Sequence, residues 1–184
     1  MADLTNLRDI EDLDTLLDQL SGNDLRTLLQ QVEPADLATV ADKISTPGEL
    51  KRLLEVAGGD EGLINEFIAR AGVDVMLDRV FALMGTRFVS DRLGSDSGVV
   101  QWDIKTPDGE RHYHLTIADG KAEGAKGPAA GNPRLTLAMS AYDLLQLCAG
   151  TMGGATGFMT GKIKLRGDMM FGAKLPSVFD TTAD

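Results

Sequence analysis

Apolar positions recur every three to four residues between residues 12 and 57. The segments LDTLLDQL, LRTLLQQV, LATVADKI and LKRLLEVA start at Leu13, Leu25, Leu37 and Leu50. Each puts apolar residues at i, i+3, i+4 and i+7, the stripe of an amphipathic helix. Helix starts are written ahead of them. Thr46-Pro47-Gly48-Glu49 predicts a capping box with proline in the first turn, and Ser21-Gly22-Asn23-Asp24 and Glu33-Pro34-Ala35-Asp36 are weaker forms of it. A two-turn helix is unstable alone because nucleation is costly. The stripes must therefore be buried against one another or against the rest of the chain, as in a miniature helical solenoid. Three of the segments spell LxxLL, at Leu13, Leu25 and Leu50. That spelling suits a receptor-docking box, but core-facing leucines at this spacing produce it without any partner. Glycines at 58, 59 and 62 break the pattern, and one more apolar helix is expected at about 63–71.

The pattern then changes period. A helix is expected from about Asp74, as its cap, to Phe88, with Leu77, Val80, Phe81, Met84 and Phe88 on one face. Val100, Trp102 and Ile104 alternate with polar neighbours, as do Tyr113, Leu115 and Ile117, so two strands are expected. For both apolar sets to share a face, paired residue numbers must sum to an odd value. Proline cannot take a positive φ, which excludes a type I′ turn at Pro107-Asp108. The predicted hairpin has a four-residue loop closed by Lys105 and Glu110, with Trp102 opposite Tyr113, Val100 opposite Leu115 and Asp103 opposite His112. A short third strand follows, then a strand carrying Leu135, Leu137 and Met139. A helix capped at Ser140 follows and stops at Gly150. A strand over Lys162–Arg166 precedes a last helix capped by Asp168, which carries Phe171, Leu175 and Val178 and is disturbed by Pro176.

Charge adds an asymmetry. Residues 1–73 hold 15 acidic and 6 basic side chains, and the remainder 13 and 12, for a net charge of -10. An acidic front half does not suit nucleic acid, which requires a basic face. It reads as a solvated helical surface or as a site for a basic protein partner. No apolar run reaches the ~18 residues of a membrane span. The acidic amino terminus lacks the basic and apolar regions of a secretory signal, so the cytoplasm is the expected compartment. The chain has one cysteine, Cys148, so no internal disulfide or CxxC site is expected. With no histidine near it in sequence, Cys148 reads as packed rather than nucleophilic.

Two motifs suggest chemistry on sight. Gly157 to Lys162 looks like a phosphate loop, but three residues separate Gly157 from Gly161 where four are needed. Ile163 also stands where the magnesium-binding hydroxyl belongs. His112 and His114 share a strand face with Asp103 opposite. They are the chain's two histidines, on the polar face, and a firm metal site needs three or four ligands. A solvated face is expected for them, and also for Lys162, Lys164 and Arg166, whose alternative is a meeting with lipid head groups.

The run Phe158-Met159-Thr160-Gly161-Lys162-Ile163-Lys164-Leu165-Arg166-Gly167-Asp168-Met169, followed by Lys174-Leu175, resembles the sterol carrier protein 2 domain. Leu135-Thr136-Leu137, Ser140, Asp143-Leu144 and Gly150 agree with it, and the resemblance extends over about residues 74–180. It implies an α+β fold, a five-stranded mixed β-sheet with helices packed on one face, preceded here by an all-α region of short helices. Residues 1–73 would be an acidic helical repeat and residues 74–184 the lipid-binding domain. The resemblance further implies an apolar tunnel that holds a fatty acyl group, a sterol or another lipid, without catalysis, cofactor or metal. Its expected lining is Phe81, Met84, Trp102, Leu137 and Leu144, with Phe158, Met159, Ile163 and Leu165, and then Met169, Met170, Phe171 and Leu175.

Seven methionines in this half suit a surface that adapts to varied ligands. The chain departs from the family pattern at Met152-Gly153-Gly154-Ala155 and at Gly172 and Pro176. It also ends in Thr-Ala-Asp, where peroxisomal members carry a targeting tripeptide. The alternative function is a protein-interaction or self-association module working through residues 1–73.

Overall fold

The computed structural model describes residues 13–182. The amino-terminal residues read above for a secretory signal lie outside them as far as residue 12. Five short helices come first: α1 (Leu13–Gln19), α2 (Gly22–Gln31), α3 (Pro34–Lys43), α4 (Pro47–Val56) and α5 (Glu61–Ala71). The capping boxes form at Ser21 and at Thr46, where each hydroxyl accepts from the N3 amide and the N3 carboxylate answers. Glu33 makes no side-chain cap, and proline starts that helix instead. The LxxLL leucines point inward: Leu25, Leu28, Leu29, Leu50 and Leu53 are all buried. Arginines close two helix ends. Arg70 donates to the carbonyls of Leu29 and Val32 at the end of α2, and Arg79 donates to Ile44 after α3 at 2.5 Å.

Helix α6 (Val73–Thr86) is capped at Gly72, with no side-chain cap. Asp74, expected to cap it, instead holds Lys126 at 3.0 Å and Arg111 at 3.2 Å. The helix also ends before Phe88, which bridges to Phe179 near the carboxyl end. A short helix that the sequence pattern did not announce, α7 (Ser90–Leu93), follows.

The sheet comprises β1 (Gly98–Thr106), β2 (Gly109–Ala118), β3 (Lys121–Lys126), β4 (Leu135–Ser140) and β5 (Lys164–Gly167). Its order is β3-β2-β1-β4-β5, with β1 and β4 parallel and the other pairs antiparallel. The hairpin register is the expected one: Trp102 faces Tyr113, Val100 faces Leu115 and Asp103 faces His112. The loop is tighter than expected. Thr106 also pairs with Gly109, leaving Pro107-Asp108 as the connector. The positive φ that proline forbids falls on Gly109, at 104°, a position only glycine occupies cheaply. Strand β5 begins two residues later than expected, after the half-turn at Gly161.

One row of paired residues, Tyr113, Trp102, Leu137 and Leu165, crosses four strands on the helix-covered face. Phe81 of α6 stacks on Tyr113 at 4.3 Å and meets Trp102 edge-on at 5.6 Å. The Tyr113 hydroxyl donates to Asp78, and burial, reinforced by that carboxylate, pushes its pKa far up. The opposite face is polar and carries Gln101, Asp103, His112 and His114.

Helix α8 (Ala141–Cys148) is capped by the Ser140 hydroxyl and ends before Gly150 in the left-handed region. It packs on β1 and β4 and also against α4, α5 and α6. One continuous apolar core therefore joins the amino-terminal helices to the sheet. Helix α9 (Gly154–Met159) precedes β5. Helix α10 (Met169–Lys174), whose cap Asp168 accepts from the Phe171 amide, gives way at Pro176 to a 3-10 turn, Leu175–Val178.

Candidate functional site

A cavity of about 590 Å³ lies between the sheet and the carboxyl-terminal helices. Its floor is Trp102, Leu137 and Leu165, three members of the cross-strand row. Leu83, Met84 and Arg87 bring the end of α6 to one side, and Leu147 and Cys148 bring the end of α8 to another. The outer wall comes from Ala155, Phe158 and Met159 of α9 and from Met169, Gly172 and Ala173 of α10, with Leu175 and Pro176 behind them. Pro47, from the first turn of α4, also reaches the lining.

Each wall has a local cause. Strand alternation turns Leu165 inward and leaves Lys164 and Arg166 outside. Helix α9 starts directly on the 3-10 turn: a Cβ added at Gly154 would lie 2.3 Å from Pro176 Cγ, so this contact requires glycine. Helix α10 is anchored from its outer side. Arg134 donates to Asp168 at 2.9 Å, contacts Asp96 at 3.4 Å and stands 4.2 Å over the Phe171 ring, and Lys174 also binds Asp96 at 2.7 Å. The Phe171 amide, and then Arg134, hold the Asp168 carboxyl below its ordinary range. Lys174, and then Arg134, do the same for Asp96.

Of the thirteen residues expected to line a lipid pocket, nine meet at this cavity: Met84, Trp102, Leu137, Phe158, Met159, Ile163, Leu165, Met169 and Leu175. Four sit elsewhere. Phe81 is committed to the aromatic stack on Tyr113. Leu144 is fully buried in the core, and Phe171 packs beneath Arg134. Met170 points into solvent, 75 % exposed. The sequence reading missed Pro47, Leu83, Arg87, Leu147 and Phe179. Leu83 and Leu147 were within reach of periodicity, being three residues from Val80 and three from Leu144. Pro47 and Phe179 were not, since only long-range packing brings them to the cavity.

The chemistry of the lining is sparse. Arg87, Ser177, Asp180 and Thr181 supply polar groups at one end, and the rest is mainly apolar. The apolar surroundings of half-buried Cys148 push its thiol up to about 12, so it is neutral at neutral pH. We expect Cys148 in the native protein at pH ~8 to react with a disulfide reagent at least about a hundredfold more slowly than the same thiol after unfolding, because the thiolate is the reactive form. Equal rates in native and unfolded protein would contradict this environment.

Among the described residues, no three His, Cys, Asp or Glu side chains converge as a metal cluster. His112 pairs with Asp103 at 2.8 Å, and His114 turns its Nδ1 toward the Gly127 carbonyl at 2.9 Å. Among the described residues, no helix is long and apolar enough to cross a membrane.

Residues 85–180 match the model of the SCP-2 sterol transfer family. No curated protein matches the sequence. Among solved structures, the chain is similar to sterol carrier protein 2 like 2 from Aedes aegypti, at 26% identity and TM-score 0.46, covering 60% of this chain and 99% of that one. It is also similar to the palmitated form of that protein, at 28% identity and TM-score 0.45, covering 58% of this chain and 92% of that one. A third similarity is to the inverting sec-alkylsulfatase Pisa1 of a Pseudomonas species. There the identity is 14% and the TM-score 0.52, over 96% of this chain but 31% of that one. The last likeness concerns the fold alone, and it takes in the amino-terminal helices together with the sheet.

Proposed function

Because the chain belongs to the SCP-2 sterol transfer family, we propose that it binds a hydrophobic ligand, a fatty acyl group, a sterol or another lipid, in the cavity between sheet and α9–α10, and carries it without chemical change. The observation that carries this reading is the cavity itself: about 590 Å³ with a predominantly apolar lining. That volume falls in the range of small-molecule sites, which bury most of a ligand against apolar walls and orient it with few polar groups. Burial of ten methylenes would contribute about 8 kcal/mol before ordering costs, enough for useful affinity with no charged contact. Catalysis has little support in the lining, where the thiol is neutral. The acidic helices would serve as a structural companion to the site, since Pro47 of α4 reaches it.

The test is direct. Native mass spectrometry of gently purified protein should reveal a co-purifying lipid, and titration with a dansyl fatty acid or a fluorescent sterol should saturate. Leu165→Trp places a larger ring from the floor into the cavity, and we expect it to weaken such binding by about tenfold or more, about 1.4 kcal/mol. Its thermal transition should stay close to that of the parent, because the added volume enters open space. Absence of saturable binding across lipid classes would end this reading.

A further inference from the structure

Among the described residues, four of the five large apolar side chains left open to solvent lie between residues 158 and 170. They are Phe158 at 45 %, Met159 at 84 %, Met169 at 53 % and Met170 at 75 % exposure. Scattered exposed apolar residues need no explanation, but a cluster at a cavity mouth marks an interaction surface. The fold makes the cluster. Helix α9 ends at Met159, the edge strand β5 follows, and α10 begins at Met169. Phe158, Met159 and Met169 also line the cavity, so the patch forms its rim.

The charge of this segment runs against that of the whole. From Thr156 to Gly167 the chain carries Lys162, Lys164 and Arg166 and no acidic residue, in a protein of net charge -10. Lys164 and Arg166 are exposed and, among the described residues, form no ion pair, while the carboxylate paired with Lys162, that of Asp143, is 3.9 Å away.

We infer that this rim is a docking surface for an anionic lipid bilayer. A bilayer offers what the edge lacks: negative head groups for the cations and, just beneath them, an acyl boundary for the apolar side chains. Methionine side chains are flexible and suit a partner without fixed shape. A second copy of the chain fits less well, because a two-fold contact on this patch would set the same cations against each other. The acidic remainder is repelled by the anionic surface, which orients the cavity mouth toward it. Ligand passage between bilayer and cavity rests on the proposed lipid binding, but the docking itself does not.

Co-sedimentation of the full chain with vesicles tests the inference. One set is phosphatidylcholine alone, and the other contains about one third phosphatidylglycerol. The protein should partition to the anionic vesicles, be released by added salt and largely ignore the neutral ones. Lys164→Gln with Arg166→Gln, and separately Met170→Asp, alter residues outside the cavity lining. Each change should lower partition by roughly tenfold or more while titration with the dansyl fatty acid in the absence of vesicles stays unchanged. The docking surface is overturned if the full chain does not bind anionic vesicles. It is also overturned if both variants bind like the parent, or if sedimentation shows the patch buried in a dimer that Met170→Asp dissociates. Failure of the cavity reading would look different: vesicle binding persists, but the fatty acid never saturates.

Discussion

A chain shortened to residues 72–184 is expected to lose its cooperative unfolding transition, although it retains every strand and the whole cavity apart from Pro47. The reason is the shared core. Helices α3 and α5 pack on α6, and α4 and α5 pack on α8. Their removal re-exposes the parts of α6 and α8 that pack on them, in helices that hold several fully buried apolar side chains. It also removes the Ile44 carbonyl that accepts from Arg79 and the Gly59 carbonyl 3.5 Å from the Tyr142 hydroxyl. Re-exposing a buried side chain of this size costs about 1.5–3 kcal/mol. A handful of them approaches the whole stability of a typical domain, about 5–15 kcal/mol. Urea unfolding followed by the fluorescence of Trp102, the chain's one tryptophan, is the measurement. If the shortened chain keeps a sharp transition within about 2 kcal/mol of the parent, the helices are an appendage and residues 1–73 are a separable unit.

Trp102→Ala is expected to cost about 3–5 kcal/mol, the range for deleting a large aromatic from a packed interior. Trp102 is 2 % exposed, stands at the centre of the cross-strand row and meets Phe81 edge-on. Truncation also opens the cavity floor, so the void joins existing space and cannot collapse. Trp102→Phe separates two contributions. The indole Nε1 is buried with no hydrogen-bond partner among the described residues. Phenylalanine keeps most of the ring packing and removes that unsatisfied donor, whose burial carries a penalty of about 1–3 kcal/mol. We therefore expect Trp102→Phe to cost less than about 2 kcal/mol, well below the alanine variant. Urea unfolding followed by far-ultraviolet circular dichroism distinguishes them. Equal losses in the two variants would mean that the indole N–H is satisfied in solution.

The sequence exposed most of the fold because its signals are local. The hairpin register follows from alternation alone: a one-residue slip would turn Trp102 and Tyr113 to the polar face. The capping boxes at Ser21 and Thr46 concern four consecutive residues, and so does the cap that Asp168 makes on α10. Errors arose where a local preference met a stronger distant partner. Asp74 has the right place to cap α6, but Lys126 and Arg111 of the sheet claim its carboxylate. Phe88 continues the helical stripe, but its backbone pairs with Phe179. The two-residue connector that proline excludes as a type I′ turn forms because the positive φ falls on Gly109 and not on Pro107.

The site divides in the same way. Leu165 and Trp102 reach the cavity because strand alternation fixes which way each side chain points, and that alternation is written in the chain. Phe171 and Met170 are equally apolar and adjacent in the chain, yet one packs under Arg134 and the other faces water. Periodicity cannot separate a residue that lines a cavity from one that fills the core beside it, since both are apolar and on the same side of an element. By itself the sequence determined most of the elements, the inward faces of the long strands, the sheet's hairpin pairing and the family. Only the tertiary structure decided that the acidic helices share the core with the sheet, that Pro47 and Phe179 reach one cavity, and that open space remains there. Open space is a property of how surfaces from distant parts of the chain fail to fill one another, and no local pattern of residues encodes it.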